Sequence, residues 1–147
     1  MPSRRLTGFV AGTGLFAMAM FASVAPASAA RNFFDIDMTG SAEAPGPGDP
    51  DGSGTALVAL FPEEGRICYV LEVEGIAPAT AAHIHEAPAG SPGPVVLPLE
   101  APTKGRSREC RSIAPELAQE ILDNPSDYYV NVHNPEHPGG AVRGQLA

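Results

Sequence analysis

Four histidines are the side chains of this chain best suited to chemistry, and three of them are spaced in a way that a metal site can use. In "AHIHE", residues 82–86, His83 and His85 flank Ile84. On a strand with Ile84 toward the core, both imidazoles leave the opposite face, their Cβ atoms ~7 Å apart. In "YYVNVHN", residues 128–134, Val130 and Val132 take the core face, which leaves His133 on the polar one with Tyr129 and Asn131. Three neutral imidazoles with a water suit Cu(II) or Zn(II). His83, His85 and His133 are therefore the candidate ligands, with copper ahead of zinc. His137, in a turn before Pro138, is the weaker fourth candidate. An H-x-H pair on a wet strand also arises for hydrogen bonding or cross-strand packing alone, and spacing does not separate these readings.

Other chemistry finds less support. No G-x-S-x-G elbow is present, and Ser91 and Ser107 fall in loops without an arranged base. Glu86 belongs to the face opposite His85, so it does not orient that ring unless a bulge intervenes. Glu63 and Glu64 read as solubilising turn charges. Asp49 and Asp51 match no complete calcium loop and read as a solvated turn.

The elements that must position the histidines are short strands punctuated by Gly and Pro. "FFDIDMTG" alternates Phe34, Ile36 and Met38 against Asp35 and Asp37, the pattern of a half-buried strand. "TALVALF" and "RICYVLEVEGI", joined by "PEEG", predict a β-hairpin with Ile67, Tyr69, Leu71 and Val73 on one side. "GPVVLPL" predicts an edge strand, where prolines are tolerated. "TKGRSRECRSI" reads as a solvated hairpin around Cys110. "APELAQEILDNP" predicts one short crossover helix with Leu117, Ile121 and Leu122 on its inner face, stopped at Asn124-Pro125. "DYYVNVHNPEHPGGAVRGQLA" predicts a final antiparallel hairpin with one apolar face and one polar, the latter bearing Tyr129, Asn131, His133, Arg143 and Gln145.

The N-terminus sets the compartment. Arg4 and Arg5, an uncharged apolar run and "APASAA" have the layout of a secretory signal, so residues 1–29 are expected to be removed near 29/30. Residues 30–147 then form a single domain, secreted or extracytoplasmic, with no membrane span after cleavage; the export route stays open. Cys68 and Cys110, an even pair in an oxidising compartment, read as a disulfide that would stabilise by roughly 4 kcal/mol. All 17 acids but only seven of the nine basic residues lie beyond residue 29, which leaves a formal charge of −10. So acidic a surface repels nucleic acid and anionic lipid.

Three blocks, "AAHIHEAPAGSPGPVVLPL", "LAQEILDNPSDYYVNVHN" and "PGGAVRGQL", with "GDPDGSGTALVALFPEEGRICYVLEVEGI" upstream, together resemble the CHRD domain, the chordin-type domain of many bacterial exported proteins. The resemblance covers nearly all of the chain beyond the signal. It implies an all-β fold, an immunoglobulin-like antiparallel sandwich or barrel, in agreement with the strand pattern. His83, His85 and His133 match the family's histidine positions, and His137 stands where its pattern varies. A looser similarity is to copper/zinc superoxide dismutase, where an H-x-H strand and a late histidine bind copper near an arginine. His83, His85, His133 and Arg143 follow that order, but no histidine lies between Glu86 and Asn131, so a bridging ligand and zinc loop are missing.

Two functions stand at this point. The favoured one is an exported, non-enzymatic binding or structural module that meets an unknown protein or matrix partner through the polar strand face of Tyr129, Asn131, His133, Arg143 and Gln145 alongside His83 and His85. The alternative is a copper-binding protein, redox work included, with His83, His85 and His133 as ligands and Arg143 steering anions. Adhesion through the "GPVVLPL" edge is the weakest reading.

Overall fold

The computed structural model describes residues 32–147, so the signal segment expected at residues 1–29 lies outside the described residues. Eight strands and one α-helix follow in the order β1 (Phe33–Thr39), β2 (Ser53–Phe61), β3 (Arg66–Glu74), β4 (Ala81–Glu86), β5 (Val95–Leu99), β6 (Arg106–Ser112), α1 (Pro115–Asp123), β7 (Tyr128–His133) and β8 (Val142–Gln145). They form one antiparallel sheet ordered β5-β4-β7-β8-β1-β2-β3-β6. The all-β fold class is as the strand pattern implies. Its sandwich-like form comes from one continuous sheet that curls until the two edges meet. Arg111 Nη1 donates to the Pro98 carbonyl at 2.7 Å, the Ser107 hydroxyl to that of Glu100 at 2.7 Å, and Glu100 N–H to the Tyr69 hydroxyl at 2.7 Å.

Inside the curl lies one apolar core. Alternation delivers it: Ile36 and Met38 from β1, Val58 and Leu60 from β2, Ile67 and Leu71 from β3, Ile84 from β4 and Val130 and Val132 from β7 are all buried. The β2–β3 hairpin closes with Phe61 opposite Arg66, and Gly65 takes the left-handed conformation (φ 56°) that ends the Pro62–Glu64 turn. Cys68 and Cys110 stand opposite each other on β3 and β6 and are bonded. The segment around Cys110 is thus the edge strand β6, paired to β3, and not a solvated hairpin. "GPVVLPL" supplies β5 at the other edge, as its prolines require.

α1 begins at Pro115, where a missing N–H is harmless, and ends before Pro125. It carries the chain from the β6 edge back toward the middle of the sheet. Its buried residues are Ala118 and Ile121, with Leu117 and Leu122 only partly covered. The inner face is therefore turned toward Ala118, too small a side chain to draw notice in a hydrophobic pattern.

β7 and β8 break the alternation. Tyr128, Tyr129, Val130, Asn131 and Val132 are all buried. One side faces the core; the other is roofed by loop 87–93 and the segment around residues 40–49. Arg143 (1% exposed) and Asn131 (2%) lie under that roof, so the polar face is an interior and not the open contact surface its composition suggests.

Candidate metal centre

Core packing of Ala82 and Ile84 turns His83 and His85 to the roofed side of β4. Strand β7 then sets the third ring by register: His83 is opposite Asn131, His85 opposite Tyr129, and Ala81 opposite His133. His133 is thereby the diagonal neighbour of His83, a separation that imidazoles can span. His83 Nδ1 lies 3.1 Å from His133 Nε2, and one ring nitrogen from each of the three histidines falls within 4.8 Å of the others. The structure brings together the three histidines that strand alternation placed on one face.

Backbone carbonyls fix two of the rings. His85 Nδ1 is 2.8 Å from the Gly93 carbonyl and His133 Nδ1 is 3.0 Å from that of Pro138. A carbonyl only accepts, so each Nδ1 carries the proton and each Nε2 presents a lone pair, the arrangement common to metal-bound histidines. His85 Nε2 is buried and makes no hydrogen bond, a costly state for a polar atom. At His133 Nε2 a second lone pair intrudes. Asn131 Oδ1 is 3.0 Å away. Two acceptors face each other there, a mismatch that a cation between them relieves.

Burial lowers the pKa of His83 below its ordinary 6.5, reinforced by His133 and His85. Burial does the same to His133, against the opposing pull of the Pro138 carbonyl, with His85 adding to the depression. Both rings are thus neutral near pH 7, as ligation requires.

A stacked column supports the trio. The Tyr129 ring lies parallel to His85 (4.8 Å between centroids, 6° apart), and the Arg143 guanidinium lies over the Tyr129 ring, 3.4 Å from its centroid. Tyr129 also accepts the Gly93 N–H at 3.2 Å. Arg143 donates to the carbonyls of Ser91 (2.8 Å) and Pro88 (3.0 Å) and to Gln145 Oε1 (3.2 Å). Its donors point into the roof, which corrects the expectation that Arg143 steers anions: it pins loop 87–93 over the rings. Burial raises the Glu43 carboxyl from 4.5 to about 7, although Arg143 and Asn131 oppose that rise.

His137 does not join the trio. Its Nδ1 lies 3.7 Å from Asp49 Oδ2, in a separate cluster with Asp49 and Glu136. Asp49 itself is buried, contrary to the solvated turn expected of it. Glu86 is exposed, and Gly93, not Glu86, orients His85. Gly93, Pro138 and Glu43 escaped the reading of the sequence. The first two act through backbone carbonyls, which every residue possesses; only Gly93 carried a signal, since a Cβ there would run into the Glu86 carbonyl.

A family model for the CHRD domain matches residues 34–146. No curated protein and no solved structure matches the chain.

Proposed function

Because the chain belongs to the CHRD domain family and is accordingly a structural or binding module, we propose that what it binds is a transition-metal ion, Cu(II) foremost, held by His83, His85 and His133. The observation that carries this reading is the pair of carbonyl-locked imidazoles whose Nε2 lone pairs converge, one of them buried without a hydrogen-bond partner. His83 joins them through Nδ1 when its ring proton sits on Nε2. Neutral nitrogen donors favour copper over zinc by intrinsic affinity. The ion's part is to be held, for buffering, delivery or cross-bracing of β4 and β7. With Arg143 committed to the roof, no cationic side chain of the site is left to draw an anionic substrate in.

The same burial argues against a protein or matrix partner docking on Tyr129, Asn131 and Arg143, so such a partner would have to meet another surface. Export is part of the proposal: the signal-like residues 1–29 and the Cys68–Cys110 disulfide suit an oxidising compartment. No helix among the described residues is long and apolar enough to cross a membrane.

Cu(II) titration of the purified protein, followed by electron paramagnetic resonance, tests the site. The expected result is a nitrogen-split bound spectrum at one equivalent, lost in His133→Ala. A spectrum of aqueous copper at stoichiometric protein would end the proposal.

A further inference from the structure

Asp49 and His137, which the sequence pattern consigned to separate wet turns, meet in the structure. Asp49 is 8% exposed; its Oδ1 accepts the Asp51 N–H at 3.1 Å, and its Oδ2 faces His137 Nδ1 at 3.7 Å. That nitrogen is sealed from solvent and makes no hydrogen bond. Glu136 adds a carboxylate, and one donor atom from each of the three lies within 4.8 Å of the others. Two segments far apart in sequence are involved, and a backbone bond joins them, Asp49 N–H to the Ala141 carbonyl at 2.9 Å; within the second segment, His137 N–H is held by the Asn134 side-chain Oδ1 at 2.7 Å.

The separation is informative. A protonated imidazole in contact with a carboxylate closes to ~2.8 Å, and 3.7 Å is too long for a hydrogen bond. Two ligands of a tetrahedral ion, each ~2.1 Å from the metal, stand about 3.4 Å apart. The Asp49–His137 separation is thus closer to that of two ligands of one ion than to that of a direct pair, and Glu136 stands within reach of the same point.

We propose that Asp49, Glu136 and His137 form a second cation site, taking a divalent first-row ion of which Zn(II) best suits the donors. One imidazole and two carboxylates are common zinc ligands, whereas calcium takes six to eight oxygens. The site shares no ligand with the histidine trio and stands independently of the copper reading.

Zn(II) is titrated into the metal-free protein against a chromophoric chelator, for wild type, Glu136→Gln, His137→Gln and His83→Gln. In wild type and in His83→Gln a zinc equivalent is bound that His137→Gln loses and that Glu136→Gln weakens about tenfold or more. Glu136 is exposed, so its variant decides the matter even if His137→Gln does not fold. Zinc stoichiometry and affinities in both variants equal to wild type would overturn this site. Failure of the copper site would show separately, as His83→Gln behaving like wild type toward copper.

Discussion

The two halves of the sheet treat their second face in opposite ways. On β2 and β3 alternate residues are buried and those between them are part or fully exposed: Leu71 is sealed, while Glu72 and Glu74 are open. On β7 five consecutive residues are buried, two of them polar or phenolic on the side away from the core. The first half is held by apolar burial and a disulfide. The second adds an interior of hydrogen bonds in which Arg143, Gln145 and Tyr129 bind loop carbonyls and amides and three imidazoles are gathered. A polar strand face is thus a surface in one half and a second core in the other, and what differs is whether a loop has something to bond to.

The largest effect should come from breaking the polar interior. Arg143→Met removes three donor contacts and the cation beside Glu43; a cost of about 3–5 kcal/mol is expected, read by urea unfolding. A loss under 1 kcal/mol would erase the contrast between the halves.

Next comes the disulfide. Cys68→Ser with Cys110→Ser should cost about 2–4 kcal/mol on the loop-closure account and leave the bound-copper spectrum unchanged, since the bridge joins β3 to β6, away from β4 and β7. A changed spectrum would mean that the halves are coupled.

A pH series separates them further. The folded protein holds the Glu43 proton up to about pH 7, whereas the unfolded chain releases it near 4.5. That contribution to stability is full below 4.5 and lost as pH rises through 7. His83 and His133 act in the other direction: with folded pKa values below 6.5, they favour the fold above pH 6.5 and lose that contribution as pH falls below it. In chelator-treated protein, Glu43→Gln should gain melting temperature relative to wild type between pH 5 and 8. Parallel profiles would contradict the assignment.

The smallest effect belongs to the open face. Arg106 and Glu72 pair at 3.1 Å with side chains 61% and 53% exposed, so Glu72→Gln should change stability by less than ~1 kcal/mol.

Period-two patterning made the strands legible because apolar alternation is written in side chains: Ile67 to Val73, Ile36 and Met38 all lie where it puts them. The histidine trio was legible for the same reason, since alternation assigns faces. What alternation cannot carry is coverage. Nothing in Tyr129, Asn131 or Arg143 distinguishes a wet face from a roofed one, because the roof is held through the carbonyls of Pro88 and Ser91. The meeting of Asp49 with His137 was illegible likewise, as it depends on where two loops return.

The route of the chain between β4 and β7 has a consequence for time. His83 and His133 are 50 residues apart, and between them the chain turns back along β5, passes to β6 at the other edge of the sheet, where the curl brings the two edges together, and returns through α1. Pairings across such separations close slowly in a folding chain. The three rings can meet only after β4 and β7 have found each other across that excursion, so no fragment ending before β7 contains the trio. An ion that selects the closed form adds ~2.7 kcal/mol at a hundredfold excess over its dissociation constant. Metal capture at these histidines would then act as a late checkpoint, registering that the chain has come round to its final hairpin.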